Sequence, residues 1–212
     1  MNAIARVGRR ARRAALAVLM ALTVLAGSPP ASAQQSGGSL YMVEIIVFRT
    51  SSVTANEDFS AVPTGRGFGN ERTSGGTPQV VRVLAPADYR LASVESTLRT
   101  SGAWHPIAHA AWLQTAANWG THIGIALSDL GVNAPGLSGS VYLERATYLH
   151  LGVDLALSNG GVTYAIKEMR SVKYNERQYF DHPAFGAIAM VSPVSAAAAG
   201  AAAGAAAGAA AH

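Results

Sequence analysis

Asp181 and His182 stand side by side in "YFDHPAFG" (Tyr179 to Gly186), flanked by aromatics and followed by Pro183. A carboxylate beside an imidazole is the raw material of acid/base catalysis or of half a metal site. The pair would need a nucleophile to attack a substrate. The chain has no cysteine and no G-x-S-x-G elbow. Neighbours on a strand also point to opposite faces, so the two side chains meet only in a turn. Pro183 pushes His182 toward extended geometry. The stretch therefore reads as a rigid corner, with Asp181 accepting backbone N–H groups, Phe185 aimed into the core and no catalytic residue.

His105 and His109 have the i, i+4 spacing of two metal ligands. A zinc hydrolase needs a third ligand and a general-base glutamate, and no H-E-x-x-H occurs. No metal or other cofactor is expected. Glu44, Arg145 and Arg170 are charges inside otherwise apolar strands, and an ion pair among them would satisfy all three. Tyr142, Glu144, Tyr148, His150 and Asp154 alternate with aliphatic residues. They would share one face that offers rings and hydrogen-bonding groups to a glycan. The competing reading packs Tyr148 and His150 beneath a helix or loop. Trp104, Trp112 and Trp119 could add stacking surfaces or fill the core.

These residues need elements to hold them. "LYMVEIIVFRT" (Leu40 to Thr50) is apolar on both alternations, as a strand covered on both sides must be. "PADYRLASVESTLRTSG" has Leu91, Val94 and Leu98 at helical spacing, Arg99 near the end and Gly102 as a stop. "WHPIAHAAWLQ" reads as a strand and "THIGIAL" as a short edge strand. "VYLERATYLHLGVDLAL" (Val141 to Leu157) alternates throughout, which predicts one long strand, with Gly152 as a bulge or bend. "SNGG" turns it into the strand "VTYAIKEMRSVK". "FGAIAMVSPV" closes the series. The order predicts an α+β fold, mainly antiparallel sheet with at least one helix packed on one face. A ferredoxin-like arrangement is one form it could take.

Both ends differ from this domain. Residues 1–33 have a basic start, an apolar run and Ala31-Ser32-Ala33, the three parts of a cleavable export signal. Residues 34–39 form a short linker, 40–194 a single domain with a long loop at 51–79, and 195–212 an Ala/Gly tail. About 160 residues then remain, the size of one domain. The chain carries 16 Lys and Arg against 12 Asp and Glu, but five of the arginines fall before residue 34. Without them the count is 16 − 5 = 11 against 12. No basic cluster survives, so a nucleic-acid partner is not expected, nor stable membrane insertion after cleavage.

"YMVEIIVFR", "HAAWLQ", "YLERATYLHLGVDLAL", "MRSVK" and "YFDHPAFGAIAMVSP" together resemble the CsiV family of exported peptidoglycan-binding proteins. The matches fall on Glu44 and Phe48; on His109, Trp112 and Gln114; on Tyr148, Leu149 and His150; and on Tyr179, Asp181, His182, Pro183, Phe185 and Gly186. Met169-Arg170 and Glu176-Arg177-Gln178 depart from the pattern. The resemblance implies a periplasmic, non-enzymatic protein that binds peptidoglycan. It also implies support of a bifunctional penicillin-binding synthase through that enzyme's outer-membrane lipoprotein activator. The alternatives are a wall hydrolase, metal-assisted or not, and a purely protein-binding envelope adaptor.

Overall fold

The computed structural model describes residues 39–51 and 80–195, with the backbone alone at Val81. The expected signal, the linker up to residue 38, loop residues 52–79 and the tail from 196 lie outside the described residues. In chain order the elements are β1 (Leu40–Thr50), β2 (Val80–Val83), α1 (Ala92–Ser101), β3 (Trp104–Thr115), β4 (Ala117–Asn118) and β5 (Ile125–Ala126). They continue with β6 (Leu137–Arg145), β7 (Leu149–Asn159), β8 (Val162–Val172), β9 (Arg177–His182) and β10 (Phe185–Pro193).

The strands form two sheets. The first has the order β2-β3-β1-β10-β9, and the second β4-β6-β7-β8 with β5 on β6. All pairings are antiparallel except β4 with β6. β1 explains its own double apolar alternation. Tyr41, Val43, Ile45 and Val47 join a core shared with Val141, Leu143, Leu151, Val153 and Leu155 of the second sheet. On the other face, Ile46 and Phe48 pack with Leu91 and Leu98 of the α1 segment. The helix buries the stripe its spacing predicts, and Gly102 ends it in the left-handed region (φ 70°), where a Cβ would be strained.

The alternation from Val141 to Leu157 belongs to two strands, not one. The chain reverses at Ala146–Tyr148, and Arg145 pairs with Leu149. Paired residues share a face, and here every pair has matching parity, as in Leu143 with Leu151. The alternation therefore runs unbroken through the turn, which hides the reversal. Gly152 makes no bulge. It sits in register between Tyr142 and Met169, and its missing Cβ leaves room for the Met169 side chain. With two sheets and one helix, the described residues do not make a ferredoxin-like arrangement, which stacks two helices on a single sheet.

Candidate functional site

Of the five residues expected to share one open face, Tyr142, Glu144, His150 and Asp154 lie on one face of the second sheet, but part of that face is covered and Tyr148 lies in the turn. Tyr142 and Glu144 point away from the core, but a segment between β4 and β5 covers them. Glu144 is fully buried and accepts the backbone N–H groups of Gly120 (2.9 Å) and His122. Gly124 lies so close over Tyr142 that a Cβ there would be 2.8 Å from its ring. Asp154 forms an ion pair with Lys167, its cross-strand neighbour, at 3.2 Å. Tyr148, in the β6–β7 turn, is 69% exposed, so it packs under neither helix nor loop. His150 is half-buried against Trp119, with ring centroids 4.1 Å apart.

Glu44 does not meet Arg145 or Arg170. It occupies the helix-side face of β1, whereas both arginines belong to the second sheet. Its carboxylate accepts the backbone N–H groups of Arg90 (2.9 Å) and Leu91 (2.8 Å), just before α1. It also accepts from His109 Nε2 at 2.8 Å. His109 Nδ1 faces Glu95 of α1 at 2.7 Å, and Arg99 completes the chain on Glu95. With a carboxylate on each ring nitrogen and a side chain only 6% exposed, His109 is held as an imidazolium. Burial opposes that charge, but the hydrogen bonds to Glu44 and Glu95 outweigh it and raise its pKa above the ordinary value. The network clamps α1 to the sheet beside a cleft of about 460 Å³ lined by Pro86, Tyr89 and Ile107.

His105 is not part of this cluster. The register shifts between Val47 and Phe48, whose β3 partners are Ala108 and Pro106. Ile107 is thus the extra residue of a bulge, which turns His105 to the opposite face from His109. His105 instead meets the Ser51 hydroxyl at 3.1 Å. Among the described residues no group of three His, Cys, Asp or Glu side chains is placed to hold a metal ion.

In "YFDHPAFG" the two polar residues divide the work differently from the expected corner. Pro183 and Ala184 form a two-residue turn between β9 and β10, with a trans peptide bond. The group that accepts a turn N–H is His182, whose Nδ1 takes the Ala184 N–H at 3.1 Å. Asp181 points to the other face and accepts from Tyr179 Oη at 3.1 Å. Phe185 is buried in the core. Burial lowers the His182 pKa, with the Asp181 charge opposing, so the ring stays a neutral acceptor.

Arg145 reveals a cluster that periodicity could not show. Its guanidinium donates to the hydroxyls of Tyr41 and Tyr174, the latter at 2.6 Å, and lies over the Tyr41 ring. Tyr41 and Tyr174 stack at 6.1 Å. The backbone N–H of Trp119 donates to the Arg145 carbonyl at 3.0 Å. Trp119, Tyr148, Tyr174 and Arg145 thus gather at one end of the sandwich, where β1 begins and β6 turns into β7. Trp119 is 50% and Tyr174 46% exposed. Among the described residues no carboxylate forms a salt bridge with Arg145. Trp112, in contrast, is fully buried and donates to Gln114. Arg170 pairs with Glu168 and lies over the Phe180 ring.

These features define a β-sandwich whose buried polar side chains hold its own backbone together and whose aromatic, cationic end stands open. Residues 15–194 match the family described as peptidoglycan-binding protein, CsiV, and the chain belongs to that family. Membership puts it among proteins of the cell envelope. No curated protein and no solved structure matches the chain. Among the described residues no helix is long and apolar enough to cross a membrane.

Proposed function

We propose that this protein is exported to the periplasm, binds peptidoglycan without cleaving it, and does so through the end of the sandwich that carries Trp119, Tyr148, Tyr174 and Arg145. The observation that carries the reading is the half-exposed Trp119 ring set against His150 at 4.1 Å, beside a guanidinium with no acidic partner among the described residues. An indole braced in this way is a flat apolar surface for a sugar ring. A guanidinium suits the carboxylates of the peptide stems. The wider role in this reading is support of wall assembly, acting on a bifunctional penicillin-binding synthase through its lipoprotein activator, as the family resemblance implies.

The test is sedimentation of the mature protein with purified sacculi, with released muropeptides measured in the same samples. Trp119→Ala and Arg145→Gln should each reduce the bound fraction while the melting temperature shows the protein folded. Release of muropeptides would overturn the non-enzymatic reading, and unchanged binding by both variants would move the site elsewhere. Intact mass of protein from a periplasmic extract should correspond to a chain beginning at Gln34.

A further inference from the structure

Arg49 lies at the opposite end of the molecule, and among the described residues no carboxylate forms a salt bridge with it. It follows core-facing Val47 by two residues on β1, so its side chain enters between the sheets where they part. Its Nε is buried and has no hydrogen-bond partner. A buried guanidinium N–H left without an acceptor is costly to keep. Arg49 lines a pocket of about 160 Å³ with Thr50, Ser51, Asn159, Tyr164 and Ala184. Among the described residues no Asp or Glu lines this pocket, and Asp181 faces the far side of β9. The rim is fixed in place. Thr50 Oγ1 donates to the Pro183 carbonyl at 2.7 Å, and Ser51 Oγ to the Gly102 carbonyl at 2.6 Å.

We propose that this pocket binds a single carboxylate at the end of a short peptide, with Arg49 as its charged partner and Asn159 and Tyr164 as rim groups. The volume supports a small terminal group: it is well below the roughly 300–1,000 Å³ of sites for drug-sized ligands and too small for a disaccharide. The pocket's preference for a carboxylate stands on Arg49 alone. That the carboxylate belongs to a wall stem, which ends in D-alanine, rests on the proposed function.

The probe is N-acetyl-D-alanyl-D-alanine, titrated into the full mature protein beside its C-terminal amide, acetate and inorganic phosphate. The readouts are calorimetry and the NMR signal of the Arg49 Nε–H. The acid should bind and shift that signal. The amide and the Arg49→Gln variant should each bind about tenfold more weakly or worse, the scale of one lost charge-assisted hydrogen bond. Equal binding of acid and amide, or binding unaffected by Arg49→Gln, would overturn the proposal, as would phosphate binding more tightly than the acid. If Arg49→Gln does not fold, the Nε–H signal of the unaltered protein still decides: no shift at saturating acid rejects the pocket. Acetate shifting the signal as strongly as the dipeptide would reject the peptide terminus. Loss of sacculus binding with dipeptide binding intact would instead count against the wall-binding reading.

Discussion

His109 has a carboxylate on each ring nitrogen, and this sets how stability should vary with pH. Its folded pKa lies above the ordinary 6.5. A base raised on folding contributes fully below its unfolded value and loses that contribution as pH rises through the folded one. Glu95 behaves in the opposite sense. Burial would raise its pKa, but the bonds to His109 and Arg99 outweigh that and hold it below 4.5. Its contribution is present above 4.5 and is lost as pH falls through the folded value. Glu95→Gln should therefore cost about 1–2 kcal/mol at its maximum, between those two ordinary values, and less on either side. Urea unfolding across pH checks this, and a difference that does not shrink as pH rises above 6.5 would show His109 uncharged. His182 has the reverse dependence, because its lowered pKa makes the neutral ring the folded form. His182→Ala should cost about 0.5–1.5 kcal/mol, and wall binding per folded molecule should not change. A fully stable variant that no longer binds wall would make "YFDHPAFG" a site. The sequence already showed that Glu44 needed a partner. It could not show which, because a lone carboxylate in one apolar strand and a lone imidazole in another say nothing about whether the strands are neighbours.

Elements rich in one kind of residue were the easiest to read. β1, α1, β3 and the β7–β8 hairpin follow from double apolar alternation, helical spacing and Gly160-Gly161, both at positive φ. Reversals that keep parity were invisible, so the β6–β7 hairpin passed as one strand, and two of its five supposed surface residues lie beneath the β4–β5 segment. β2 and β9 are edge strands of four and six residues, too short for a pattern to mark. Periodicity also pointed to the wrong glycine. Gly139 has φ 128°, and a Cβ there would lie 2.1 Å from the Asp154 carbonyl oxygen, which is backbone and cannot withdraw. Gly152 would meet chiefly the flexible end of Met169 at 2.9 Å. Gly139→Ala should cost about 3 kcal/mol or more, the upper end of single substitutions, and Gly152→Ala clearly less. Chemical denaturation of both variants gives the ranking, and the reverse order would mean that the β6–β7 pairing relaxes around residue 139.

At the scale of the molecule the fold is dominated by distant pairings. β1 is flanked by β3 and by β10, so the first sheet cannot form until the last strand is present. Such topologies fold in milliseconds to seconds. Truncation before Phe185 should abolish the native state, since it removes a strand that β1 and β9 both pair with. Deleting residues 196–212 should leave the melting temperature within about 2–4 °C, the shift that roughly 1 kcal/mol produces in a chain of this size. That segment contains only alanine, glycine and one histidine, which limits the apolar area it can bury. A larger drop in calorimetry would mean that it docks.

The pairing of β1 with β10 also bears on how the protein carries load. Tyr41 stands opposite Pro193, and the Val194 N–H donates to the Leu40 carbonyl at 3.0 Å. The chain therefore enters and leaves the sandwich at adjacent points on antiparallel neighbours. A force drawing residues 40 and 194 apart opens their ladder one rung at a time, like a zipper, instead of shearing all rungs together. Tension through the two ends would peel the domain apart at low force.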